Sequence, residues 1–288
     1  MSIRNPVEWG VDQFRQTLSG VEAANRGLLQ AEEDAHLPLP SVRRIKAADL
    51  KDVLARGASD FGAHRTDVIF LCALYPVIGL VLATVIAESK LLPELFPLAS
   101  GFALIGPFAG VGLNEMSRRR ELGISKGWTD AFAVLRSPSL GAIILLGLML
   151  TMTFLFWMVT AYAIYALTLG PLPPASITSF LHDVFMTGPG RALIVLGVGI
   201  GFIFASIVLV VSVVAFPLLL DRQVGVEVAV RTSVQAALVN PGPVALWGLI
   251  IAAGLVIGSI PVFVGLIVVL PVLGHSTWHL YRKMVVAR

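Results

Sequence analysis

The sequence predicts an all-α fold: a polytopic transmembrane helix bundle with six membrane helices arranged as three hairpins, each preceded by a short amphipathic cytoplasmic helix. Three observations carry this prediction. Of the 288 residues, 56% are hydrophobic and 14% charged, whereas a soluble domain is about a quarter charged. The apolar residues gather in charge-poor stretches, and about 20 such residues cross a ~30 Å hydrocarbon core. Lys and Arg fall almost wholly in alternate connecting segments, the positive-inside pattern that orients membrane helices.

Residues 1–47 read as a polar cytoplasmic arm and residues 48–288 as the membrane domain. No apolar core of signal-peptide length lies between Met1 and Asn25, so the first membrane segment is expected to insert as an internal anchor. That segment is Val68–Ala87, which carries no charge. The second is Leu95–Met116. Leu140–Leu169 and Ala192–Leu220 are the third and fourth, both long enough to tilt. Val244 to Gly274 contains no charge and is too long for one crossing. Gly258-Ser259-Ile260-Pro261 offers a break, because glycine admits unusual backbone angles and proline lacks the amide a continuing helix needs. The fifth and sixth stretches are therefore Val244–Gly258 and Pro261–Tyr281.

Nineteen of the 21 basic residues fall on one side of this arrangement, and only Lys90 and Arg191 on the other. Six crossings with both termini cytoplasmic satisfy that distribution. The even-numbered stretches share a pattern of a proline followed by polar residues. Pro107 precedes Asn114 and Glu115, Pro217 precedes Asp221, and Pro271 precedes His275 and His279. DLKDVLARGASDFGAH, GWTDAFAVLRSPS and VEVAVRTSVQAALVNPGP precede the odd-numbered stretches, each amphipathic and ended by a helix breaker or polar turn. Between Pro171 and Gly190, Ile177, Phe180, Leu181, Val184 and Phe185 recur at helical spacing, as in a helix lying along the opposite membrane surface. Gly106 with Gly110, Gly197 with Gly201, and Gly254 with Gly258 are spaced for close helix packing. Phe96, Trp247, Trp278 and Tyr281 are expected to be interfacial anchors.

His275 and His279 are four apart and share a helical face. Glu115 and Asp221 occupy comparable positions after their own prolines. Around one vestibule these four would supply nitrogen and oxygen ligands for zinc or a similar ion. The plainer alternative is a set of polar groups reaching water at the interface. Arg118, Arg119 and Arg120 read either as a positive-inside anchor or, with Arg43, Arg44 and Lys46, as a site for anionic lipid headgroups. The single cysteine, Cys72, allows no intrachain disulfide, and no haem-attachment motif is present. No phosphate-cradling glycine loop, zinc-protease helix or nucleophile elbow occurs. No cofactor or nucleic-acid partner is expected; the lipid bilayer is the partner the composition requires.

The motifs VRRI (Val42–Ile45), YPVIG (Tyr75–Gly79), PLASGFALIGPFAGVGLNEMSRR from Pro97, PLLLDR from Pro217, NPGP from Asn240 and LPVLGHSTWHLYR from Leu270 together resemble a bacterial integral-membrane family, domain of unknown function 2189. The resemblance runs from about Val42 to Tyr281 and implies a bacterial inner-membrane location. Members sometimes carry a cytochrome c oxidase subunit label. A haem–copper core needs several intramembrane histidines, and here only His275 and His279 of five approach the membrane. An accessory or assembly role beside a respiratory complex stays compatible.

Two functions therefore stand. The first is a non-catalytic scaffold, assembly or accessory component of a membrane complex. The alternative is a transporter or channel for a neutral or lipid-like solute; charge-coupled transport is disfavoured because the stretches lack midplane Asp, Glu, Lys and Arg. An enzyme acting on lipid or metal at the cytoplasmic face ranks third.

Overall fold

A computed structural model describes residues 39–72, 92–261 and 263–286. Ten α-helices are described: α1 (Asp49–Cys72), α2 (Leu95–Ala109), α3 (Val111–Glu121), α4 (Leu140–Thr168), α5 (Ile177–Met186), α6 (Gly188–Ser212), α7 (Ala215–Asp221), α8 (Val226–Val239), α9 (Pro241–Ser259) and α10 (Leu266–Met284). Short 3₁₀ segments occupy Leu92–Glu94 and Trp128–Arg136. Among the described residues three helical runs are long and apolar enough to cross a membrane: Leu140–Thr168, Gly188–Asp221 and Pro241–Ser259. They coincide with the third, fourth and fifth predicted stretches. The first stretch beyond Cys72, with its YPVIG motif, lies outside the described residues, as does most of the polar arm.

Several boundaries differ from expectation for local reasons. The second stretch is two helices, parted at Gly110, whose amide still donates to Gly106 O. The fourth breaks at Val213–Val214. Pro217 cannot donate to the carbonyl four residues back, that of Val213, and its ring crowds that carbonyl. The Ser233 hydroxyl of α8 completes the break: it accepts from Val214 N at 3.2 Å and donates to Val210 O at 2.7 Å. It thus stands in the place of the Val214-to-Val210 helical bond. The last stretch starts at Leu266 rather than Pro261, after a turn in which Phe263 takes a positive φ of 64°. The predicted stop between the first amphipathic segment and the first membrane stretch is absent, because α1 runs unbroken through Gly57 and Gly62 to Cys72. GWTDAFAVLRSPS forms the 3₁₀ segment rather than an α-helix. VEVAVRTSVQAALV and the segment after Pro171 are helical as expected.

Helix packing is fixed by glycines at close approaches. A Cβ on Gly101 would meet the Phe154 ring at 2.2 Å, and one on Gly147 the Phe108 ring at 2.6 Å. These two contacts set α2 antiparallel to α4. Gly201 faces Trp157, and Gly254 and Gly258 face Val269 and Leu266 of α10. Gly106 and Gly197 meet nothing, so only part of the predicted small-residue pairs is used. Trp247, Trp278 and Tyr281 are buried and pack inside the protein rather than facing outward as anchors. Each lies on a face covered by a neighbouring helix, which overrides the position its sequence suggested.

The segment before α1 runs beside the end of α10. Val42 bridges Val285, Arg43 N donates to Met284 O at 2.9 Å, and Val286 N donates to Ser41 O at 3.0 Å. Asn240, buried at the α8–α9 junction, accepts from Ile45 N at 2.7 Å and donates to Arg43 O and Ala236 O at 3.1 Å each. The VRRI and NPGP motifs, 195 residues apart, are therefore one contact.

Candidate functional site

The chemically dense region is the polar end of the molecule, where α1, α3 and α10 meet. α1 and α10 are antiparallel: Asp49 and Asp52 reach Lys283, while Gly57 lies against Ser276. This register places Asp60, 6% exposed, beside the two histidines. Its Oδ2 accepts from Ser117 Oγ at 2.6 Å and from His279 Nε2 at 2.8 Å, and its Oδ1 accepts from Arg120. Ser117 Oγ also lies 2.8 Å from His275 Nδ1.

Burial pushes the Asp60 carboxyl up, but hydrogen bonds from His279 and Ser117 and the nearby imidazoles outweigh it, so the group is held below its ordinary value. It is a carboxylate at neutral pH. Ser117 has one proton, and that proton goes to the carboxylate. The bond between Ser117 and His275 must then use a proton on His275 Nδ1. His279 Nε2 carries its proton for the same reason. The result is a hydrogen-bonded chain His275–Ser117–Asp60–His279 spanning three helices, with Ser117 1% exposed and His275 fully buried.

Outside this chain lies a cavity of about 540 Å³, lined by Arg56, Ser59, Asp60, Ser117, Arg120, Glu121, His279, Arg282 and Lys283. Its cations are matched to acids on the same or neighbouring elements. Arg282 meets Glu121 at 3.0 Å, Lys283 meets Asp52 at 3.0 Å and Asp49 at 3.3 Å, and Arg56 meets Asp52 at 3.1 Å. The hydrogen bonds of Lys46 N and Lys283 hold Asp49 and Asp52 below the usual carboxylate range. These outer pairs are solvated, and screening by water keeps each of them weak. In the inner Arg120–Asp60 pair the carboxylate is largely shielded from water while the arginine is 36% exposed, so removing the arginine leaves the buried charge with fewer partners.

The predicted metal ligands do not converge. His275 and His279 join Asp60 and Ser117, but Glu115 is engaged by Arg118 Nε at 2.7 Å and Arg119 Nε at 2.7 Å. Asp221 accepts from the Tyr281 hydroxyl and lies near Arg222 and Arg282. Among the described residues no group of three or more His, Cys, Asp or Glu is placed to hold a metal ion. α3 explains this separation: its one-turn step turns Glu115 toward its own arginines.

Of the predicted headgroup cations, Arg118, Arg119 and Arg120 form ion pairs within the chain. Arg118 pairs with Glu115, Arg119 with Glu115 and Asp130, and Arg120 with Asp60. Arg43 donates to Arg282 O at 3.0 Å. Arg44 and Lys46 are exposed. Sequence reasoning missed Asp60, Ser117, Glu121 and Asp130. The available signal was an acid on the small-residue face of an amphipathic segment (Gly57, Asp60), which marks a close helix contact with a buried charge.

The model of a family described as predicted integral membrane protein (DUF2189) matches residues 95–221. That span covers α2 to α7 and includes Ser117, Arg120 and Glu121, the α3 part of the site. No curated protein and no solved structure matches the chain.

Proposed function

We propose that this chain, whose residues 95–221 match the model of a family described as predicted integral membrane protein (DUF2189), is a non-catalytic, multi-pass scaffold, assembly or accessory component of a membrane complex. The observation that carries this reading is the use of charge. Asp60, Glu115, Glu121 and Asp130 are each held by cations of this same chain: Asp60 ties α1 to α3, Glu121 ties α3 to α10, Asp130 ties the 3₁₀ segment to α3, and Glu115 pairs within α3. A Ser–His–Asp set is present, but Ser117 is buried and its proton is committed to Asp60. A nucleophile would need access and a base aimed at it.

In this proposal the six-stretch topology places the arginine-rich end and both termini in the cytoplasm of a bacterium, with the helices in its inner membrane. Only 11% of the most apolar part of the α6–α7 run is buried within the chain. Partners and lipid are the natural cover for such a helix.

A transporter or channel for a neutral or lipid-like solute is the second reading. The proline- and hydroxyl-broken helix at Val213–Val214 favours it, because discontinuous membrane helices build many transport sites. One experiment separates the two. The tagged full chain is extracted in a mild detergent and its bound proteins are identified and counted. A partner at fixed stoichiometry is the expected result. A solitary particle that moves a neutral solute after reconstitution into vesicles would replace the first reading with the second.

A further inference from the structure

The segment after α3 presents an apolar face with no neighbour among the described residues. Trp128, Phe132 and Leu135 are 45%, 49% and 64% exposed, and Leu122 and Ile124 are exposed beside them. The opposite face is firmly held. Asp130, buried, accepts from Lys126 N at 2.6 Å, Ser125 Oγ at 3.1 Å and Arg119 Nη1 at 3.2 Å. Ala131 packs on Gly112, where an added Cβ would come within 3.2 Å of it. Val134 is buried too. The rings of Trp128 and Phe132 meet edge to face, 5.9 Å apart at 85°. The outward direction of the apolar side chains is thus fixed by the inward direction of Asp130 and Val134.

Depth follows from helix register. Gly101 touches Phe154 and Phe108 touches Gly147, so α2 and α4 run antiparallel. The segment ends at Arg136, four residues before Leu140, the first residue of α4. Ala131 sits at Gly112, in the first turn of α3. The apolar face therefore lies beside the start of α4, a helix on which Ile144, Leu145 and Leu148 are themselves exposed. Those residues belong to a helix long and apolar enough to cross a membrane. At such a depth the medium outside the protein is the boundary between acyl chains and headgroups.

Charge agrees with depth. Lys126 and Arg136, at the two ends of the segment, are exposed, and neither forms an ion pair among the described residues. Aromatic and aliphatic groups below with cations at the rim make an in-plane membrane anchor.

We propose that Trp128, Phe132 and Leu135 insert into the leaflet at the arginine-rich end, and that Lys126 and Arg136 bind the phosphates of anionic lipids there. The segment is an in-plane anchor that fixes the level of α3 and α4 in the bilayer. The inference depends on membrane embedding and not on the scaffold reading, so the two succeed or fail separately.

The test uses the full chain in phosphatidylcholine vesicles with and without phosphatidylglycerol. The emission that Trp128→Phe removes is the signal of Trp128. Lipids brominated just below the headgroup should quench it about twofold more than lipids brominated at the chain ends. Acrylamide should reach it poorly. Lys126→Glu with Arg136→Glu should raise acrylamide access in the phosphatidylglycerol vesicles and leave it unchanged in pure phosphatidylcholine. Phe132→Trp, which adds a second reporter on the same face, should show the same ranking. Quenching by acrylamide alone would place the face in water and overturn the proposal. Shielding from both quenchers would overturn it in favour of a protein cover. Indifference to the charge reversals would overturn the role given to Lys126 and Arg136.

Discussion

Gly57 of α1 and Ser276 of α10 meet so closely that a Cβ on the glycine would fall 2.0 Å from the serine hydroxyl and 2.8 Å from the Ser276 amide nitrogen. The second distance matters more, because backbone cannot swing aside. One turn further along each helix, Asp60 and His279 are hydrogen bonded. The close approach and the buried carboxylate are thus parts of one interface. Gly57→Ala should destabilise the protein by about 1–3 kcal/mol, measured by unfolding in detergent. Gly62→Ala, on the same helix with open space around it, should not, since alanine favours helix there. Equal effects at the two sites would contradict the packing.

Asp60 makes stability depend on acid in a defined direction. Its carboxyl is held below the ordinary value of 3.8 in the folded protein, so the unfolded chain takes up the proton more readily. The stabilisation is complete above the unfolded value and is lost as pH falls through the folded one. Asp60→Asn should cost about 1–3 kcal/mol near neutrality. The gap between wild type and variant should stay level down to about pH 5 and narrow in stronger acid. A gap that widened on acidification would have the wrong sign.

Asn240 joins the VRRI segment to the α8–α9 corner with one accepted and two donated hydrogen bonds. Asn240→Ala leaves the Ile45 amide without its acceptor, at a cost of about 1–3 kcal/mol. Amide hydrogen exchange at Ile45 should accelerate, while that of the α4 interior should hardly change. Unaltered protection of Ile45 would remove Asn240 from this role.

Much of the fold was legible because hydrocarbon demands a simple code. A charge-free run of sufficient length predicted α4 and α9 nearly to their ends, and Gly258–Pro261 located the turn before α10. The break at Val213–Val214 was less visible. Its proline sits four residues on, at Pro217, and the hydroxyl that completes it comes from Ser233 on another helix. The site was legible only in part. His275 and His279 stood out by their spacing, whereas Asp60 lies 219 residues before His279 and looks like one more charge on a solvated helix. Only the α1–α10 register, set by Gly57, turns it inward. Arg118 to Arg120 looked like exposed cations for the same reason: sequence shows their charge but not Glu115, Asp130 and Asp60 waiting one turn or one helix away.

The central claim is that Asp60 and His279 act as one unit binding α1 to α10. A double-mutant cycle with Asp60→Asn, His279→Gln and the double variant, read by unfolding of the full chain in detergent, tests it most directly. A coupling energy of about 1–3 kcal/mol is expected for two members of one buried network. Effects that simply add, to within about 0.5 kcal/mol, would show that the pair does not hold the helices together and would contradict the account.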